Sequence, residues 1–237
     1  MKKFLILSTL FLVALTGLSA QKWLGIRGEG PVVKKDLSIS GFDQLGLAIS
    51  ADVFVNQGAT TKVTVEGQAN LIDNLVTEVK NGKWTIKFRD NVRSMDGMRI
   101  YVTMPNVSSL GISGSGDIVV ENGLRTGDLG LHISGSGSIK VPSLQGSGVE
   151  AHISGSGSVI LSGQAQKLEI HISGSGDVDA LGLNASACAV HVSGSGDCTV
   201  DVKEALDVHI SGSGDVRYKG QPRLMSKVSG SGSVSTY

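Results

Sequence analysis

The stretch "HISGSGDVDA" (residues 171–180) decides how the chain is read, because it recurs. A near copy, "HISGSGDVRY", begins at His209, and with Ser-Gly-Ser-Gly as the ruler, copies start at Ser113, Ser134, Ser154, Ser173, Ser193, Ser211 and Ser229. The intervals are 21, 20, 19, 20, 18 and 18 residues. A period held this closely marks a stacked repeat architecture. Flexible Gly/Ser tethers lack the apolar residues that flank every copy here in alternation.

Overlaid copies give columns. Just before the first serine stand Ile112, Ile133, Ile153, Ile172, Val192, Ile210 and Val228. Five residues after it stand Ile118, Ile139, Val159, Val178, Cys198, Val216 and Val234, and seven after it Val120, Val141, Leu161, Ala180 and Val200. Such β-branched, period-two patterns are strands with one face inward. Helix is excluded by two glycines per copy, each costing roughly 1 kcal/mol in a helix interior. The fold class is therefore all-β, a parallel β-helix or β-solenoid with coils of about 20 residues and an irregular β-rich N-terminal part. The glycines fall on the inward phase or at a corner where backbone crosses backbone and a side chain would clash. Serines one coil apart are placed to hydrogen-bond along the ladder. The phrase thus has a structural reason that invokes no ligand. No Phe, Tyr or Trp occurs between Val102 and Arg217, which predicts a thin aliphatic core without aromatic platforms for sugars or bases.

Residues 1–20 read as an export signal: Lys2 and Lys3, the apolar run "FLILSTLFLVAL" and a small-residue cleavage site after Ala20. The run is short for a membrane span, and no later stretch is apolar enough to cross a bilayer. Cleavage would leave 19 basic against 21 acidic side chains, a balance that argues against nucleic acid and polybasic membrane contact. Residues 21–105 form an N-terminal β-rich segment and cap, and residues 106–237 the solenoid of seven phrases. The N-terminal segment holds Trp23, Phe42, Phe54, Trp84, Phe88 and Tyr101. It also carries turn signals at Asn81-Gly82 and Asp96-Gly97 and a decayed repeat, "LAISADVFV" (residues 47–55). "ANLIDNLVTEV" (residues 69–79) reads as one short helix. Cys188 and Cys198 are the only cysteines, and a disulfide and two buried thiols remain equal alternatives.

The five histidines, His132, His152, His171, His191 and His209, each precede a phrase's first serine by two residues. Stacked coils turn them into an outward column about 5 Å apart. Imidazole suits zinc, copper or nickel, so this column is the candidate metal site. A side-chain ladder on an exposed sheet is the plainer reading, because a linear column offers two or three ligands and no carboxylate or thiol completes a tetrahedral set. Mutual repulsion should keep the column largely neutral at pH 7. Asp117, Asp177, Asp197 and Asp215 follow the second glycine in four copies. Calcium-binding β-rolls use Gly/Asp turns in nine-residue repeats, a period absent here, which leaves solvated turn aspartates as the reading. No nucleophile elbow, P-loop, dinucleotide fingerprint or zincin motif occurs, so no catalytic or cofactor-binding residue is expected and no cofactor is implied.

The export signal, the "VNQG" turn (residues 55–58), the junction "YVTMPNVSSLGISGSGDI" (residues 101–118) and the recurring Ser-Gly-Ser-Gly coils together resemble the bacterial head GIN domain, auto-transporter-adhesin-like family. The resemblance covers nearly the whole mature chain and implies an exported β-solenoid without known catalytic or ligand residues. The expected function is a non-enzymatic adhesin-like or cell-envelope interaction protein, in the periplasm or on the outer cell surface. Its partner would be a protein or glycan of the surface or envelope, and exposed sheet edges admit homo-oligomers. A metal-binding envelope protein and a glycan-cleaving β-helix enzyme are the alternatives.

Overall fold

A computed structural model describes residues 25–237. The export-signal reading of residues 1–20 and Trp23 lie outside the described residues. The chain passes through β1 (Ile26–Arg27), β2 (Val32–Leu37), β3 (Gln44–Leu47), β4 (Asp52–Gln57) and β5 (Lys62–Gln68). A one-turn helix, α1 (Ala69–Asp73), leads to β6 (Val79–Lys80), β7 (Lys83–Ile86), β8 (Val92–Ser94) and β9 (Arg99–Met104). The repeats follow as β10 (Ser109–Ile112), β11 (Asp117–Val120), β12 (Leu124–Arg125), β13 (Asp128–Ile133), β14 (Ser138–Gly155), β15 (Ser158–Gly174), β16 (Asp177–Gly194), β17 (Cys198–Gly212), β18 (Val216–Lys219), β19 (Arg223–Gly230) and β20 (Val234–Thr236).

These strands build a β-solenoid of about six turns. Parallel pairing runs from β10 through β13, β14, β15, β16 and β17 to β19, with His132 opposite His152, His152 opposite His171 and so on in unbroken register. A second wall pairs β11 with β14 and continues to β18 and β20. Inside lie the aliphatic columns read from the sequence: Ile112, Ile133, Ile153, Ile172, Val192 and Ile210 are all 1 to 3 % exposed. Among the repeat coils the pairing slips between Val119 and Leu124, Val141 and Leu144, Ile160 and Ser162, and Ala180 and Ala187. Differences in coil length are thus absorbed on the third side of the coil, and the Ser-Gly-Ser-Gly corner keeps its place.

That corner explains its own composition. At Gly155, Gly174, Gly194 and Gly212, φ is +143°, +134°, +137° and +142°, a region side chains rarely adopt. A Cβ there would sit 2.1 to 2.6 Å from the carbonyl oxygen of the matching glycine one coil back. The second glycines are equally confined: a Cβ on Gly176 would meet Gly157 O at 2.5 Å. The expected serine ladder is not formed. Serine hydroxyls stand outward at the corner, and aspartates tie coil to coil instead. Asp117 Oδ1 accepts from both the backbone N–H and the hydroxyl of Ser138, Asp177 from the N–H of Asp197, and Asp197 from that of Asp215. These aspartates are therefore coil-to-coil ties rather than merely solvated turn residues.

The N-terminal segment enters the same stack. Leu45 pairs with Leu110 and Val55 with Val120, so the decayed copy starts two residues earlier than its obvious match. On its far side, β3 pairs with β7 and β4 with β9. The rung made by β3 and β4 thus sits between the first repeat and a rung that comes later in the chain. Parallel pairing then gives way to antiparallel pairing of β9 with β5 and of β5 with β2, which closes this end. Trp84 is fully buried against Phe42, ring centroids 5.7 Å apart, and its indole N–H donates to Val76 O. The expected helix over residues 69–79 is shorter, only Ala69–Asp73, because Leu75 pairs instead with Phe88 in a β-bridge. Cys188 and Cys198 are buried free thiols. Burial pushes Cys188 up to about 12 and Cys198 well above its ordinary value, so neither is a ready thiolate.

Gly174→Ala places a methyl group 2.6 Å from Gly155 O at a disfavoured φ. It should cost about 2 kcal/mol or more in urea unfolding. Gly127→Ala, with nothing within 4 Å of the new Cβ, should leave the midpoint nearly unchanged.

Candidate functional site

Register turns the five histidines into one object. Neighbouring imidazoles stack with centroids 5.4, 4.6, 4.9 and 5.2 Å apart and planes within 16° of parallel. The column is outward, with His132, His191 and His209 exposed and His152 and His171 half-buried. Since each ring covers the face of the next, ring edges rather than faces meet solvent.

Three carboxylates stand beside the column, which the sequence reading had not placed there. His152 Nε2 lies 2.6 Å from Glu150 Oε1, His171 Nε2 2.8 Å from Glu169 Oε1, and His209 Nε2 3.2 Å from Asp207 Oδ1. The signal was available: in "EAH", "EIH" and "DVH" the acid precedes the histidine by two residues, and period two puts both on one face. Gly130 and Ala189 occupy the matching positions beside His132 and His191. A Cβ on Gly130 would lie 3.1 Å from His132 Nε2, so the ring of His132 leans over the space that glutamate fills in the next two coils.

Alongside the imidazoles runs the column of first serines, and between the two lies a shallow trough. Its first part is lined by Lys83, Thr85, Gly111, Ser113, His132 and Ser134, and its far part by His171, Ser193, His209, Ser211, Lys227 and Ser229. Gly46 and Gly111 hold the histidine position in the two rungs before His132; the side chain of Lys83 lies across Gly46, and the trough is open at Gly111. Lys227 takes the position after His209.

Partial desolvation of a side chain that still reaches solvent, reinforced by the charge of His152, holds His132 below the ordinary imidazole value. Its hydrogen bond from His152 holds Glu150 below the usual carboxylate range. Two protonated rings 5 Å apart repel by roughly 1 to 3 kcal/mol, depending on solvent screening. Among the described residues no three His, Cys, Asp or Glu side chains converge as a metal site. The Nε2 atoms of His152, His171 and His209 point to carboxylates of their own strands rather than to a common centre.

Residues 41–222 match the family model described as "Putative auto-transporter adhesin, head GIN domain". The chain belongs to the head GIN domain family. A solved "putative adhesin" from Bacteroides fragilis shares 26 % identity with this head GIN chain at a TM-score of 0.85, covering 90 % of this chain and 100 % of its own. A "putative lipid binding protein" from Parabacteroides distasonis gives 23 % and 0.75, covering 90 % and 99 %. A "putative adhesin" from Parabacteroides merdae gives 21 % and 0.74, also covering 90 % and 99 %. These last two share the fold. No curated protein matches the chain. The family match spans β3 to β18 and so includes all five histidines.

The lowered value of His132 has a definite consequence for stability. The unfolded chain takes up that proton more readily, so nothing changes well above pH 6.5 and stability falls as the pH drops through it. Glu150 acts in the same direction lower down, because its lowered value stabilises the folded chain until it is protonated. The thermal midpoint should therefore decrease between pH 7.5 and 5.5. His132→Gln should shrink that decrease, and an equal decrease in the variant would contradict the assignment.

Proposed function

We propose that this chain is an exported, non-enzymatic adhesin-like module of the periplasm or outer cell surface, and that it engages a surface or envelope ligand through the face carrying the imidazole and serine columns. The observation that carries this reading is the regularity of that face. The same two polar side chains recur on successive coils, in register, from His132 and Ser134 to His209 and Ser211. A catalytic centre needs one unlike cluster at one place, whereas a repeated face supplies many equal weak contacts whose sum is avidity. The family description, the signal-like residues 1–20 and the fold shared with a Bacteroides fragilis protein named as an adhesin point the same way. The engagement of three imidazoles by carboxylates weighs against the metal-binding alternative.

Fluorescently labelled mature protein should bind bacterial cells or arrayed envelope glycans at neutral pH. Ser173 and Ser193 are exposed in the trough, and Ser173→Arg with Ser193→Arg should lower that binding at least about tenfold. Gln164→Arg, on another side of the coil, should not. Equal binding by all three proteins, or binding by none, would overturn the reading.

A further inference from the structure

The imidazole column has a property that adhesion alone does not require: its charge can change sign. The charged groups around it are few. Glu150, Glu169 and Asp207 pair with three rings. Lys83 acts on His132 at one end, and Lys227 continues the column past His209 at the other. One residue column farther from the trough stand Asp128, Lys167 and Arg223, aligned through Gly148, Ala187 and Ala205. The serine side of the trough contributes no charge. With neutral imidazoles, three carboxylates outweigh two lysines and the column carries a formal charge of −1. Full protonation of its five histidines would bring it to +4. Imidazole is the side chain that makes this change between pH 5 and 8.

The new charges would lie in a line, at the coil spacing, along an open trough whose opposite wall is hydroxyl. A compact anion would use one rung of this array, and only a polymer with regularly spaced anionic groups would use all of them. Because the rings present edges to solvent, and the Nε2 atoms of three of them are engaged by Glu150, Glu169 and Asp207, the column offers chiefly charge rather than faces for sugar stacking. Serine hydroxyls match the hydroxyl groups of a glycan chain. We infer that the trough is an acid-gated site for a linear acidic polysaccharide, with carboxylates of the polymer along the imidazole column and its hydroxyls along the serine column. This rests on the adhesion reading of the same face and adds to it a ligand class and a trigger. Entry is at the rung of Gly111, where no side chain fills the column, and Lys83, lying across Gly46 in the rung before it, provides the first cation.

The test uses the mature full chain on a biosensor surface, with polygalacturonate as probe and a neutral linear glucan as control. Polygalacturonate should bind roughly tenfold or more tightly at pH 5.0 than at pH 7.5 and be released by salt. The neutral glucan should show no pH dependence. The triple variant His152→Gln, His171→Gln, His191→Gln, which retains only His132 and His209, should lose most of the pH dependence while keeping the circular dichroism of the parent. Should the triple variant fail to fold, Lys83→Gln with Lys227→Gln should weaken binding at pH 5.0 while leaving the pH dependence in place. Absence of binding at pH 5.0, equal affinity at both pH values, or undiminished pH dependence in a folded triple variant would each overturn the inference. If those results came with intact, Ser173/Ser193-dependent surface binding at neutral pH, the adhesion reading would stand and only the acidic-glycan inference would fall.

Discussion

Everything in this molecule depends on backbone passing against backbone at one corner of the coil. The carbonyl of a phrase glycine in one coil occupies the volume where a side chain would stand in the next, with 2.0 to 2.6 Å to a hypothetical Cβ. Because the close approach recurs each turn, the same residue type is demanded each turn, and the columns on both sides of the corner are brought into line. Inward, that alignment stacks Ile153 on Ile133 and Ile172 on Ile153 in a dry aliphatic core. Outward, it stacks imidazole on imidazole. The polar column on the surface is thus a consequence of the same constraint that packs the interior, carried to the other face of the strand by the period of two.

Tight register at the corner coexists with slack elsewhere. The coil from Ser193 to Ser211 is 18 residues and its predecessor 20, and the difference is taken up between Ala180 and Ala187, on the third side. Insertions of one or two residues there leave the histidine and serine columns undisturbed. This division of labour lets a repetitive face persist across coils of unequal length.

The fold was legible in the sequence because a stacked repeat writes each core column several times, and seven copies expose the period-two pattern clearly. Legibility faded where the repetition did. The copy at residues 45–55 carries Ile49 and Ala51 where the repeats have Gly114 and Gly116, so only its pairing reveals its phase. Its neighbouring rung turns through residues 87–98 instead of a four-residue phrase, and that longer path tolerates side chains at the corner. The insertion of β3 and β4 ahead of a later rung is a long-range choice that local pattern does not encode. At the candidate site, the histidine column followed from the period alone. The carboxylate partners were harder to read: an acid stands two residues before the histidine in three coils, but Gly130 and Ala189 interrupt that column, so it does not repeat as the histidines do. The roles of serine and aspartate were also exchanged: the hydroxyls face the trough, and Asp117 and its counterparts bridge the coils.

The most direct measurement is cross-linking by engineered cysteines placed on the serine column, in a background of Cys188→Ala and Cys198→Val. Facing residues of adjacent parallel strands lie within disulfide reach, about 4.8 Å, and those two coils apart do not. Ser154→Cys with Ser173→Cys, paired directly in neighbouring coils, should oxidise to an intramolecular disulfide in the folded chain, and Ser154→Cys with Ser193→Cys should not. A bridge in the second pair, or none in the first, would mean that the glycine corners do not lie one above another, and neither the aliphatic core nor the imidazole column would exist as described.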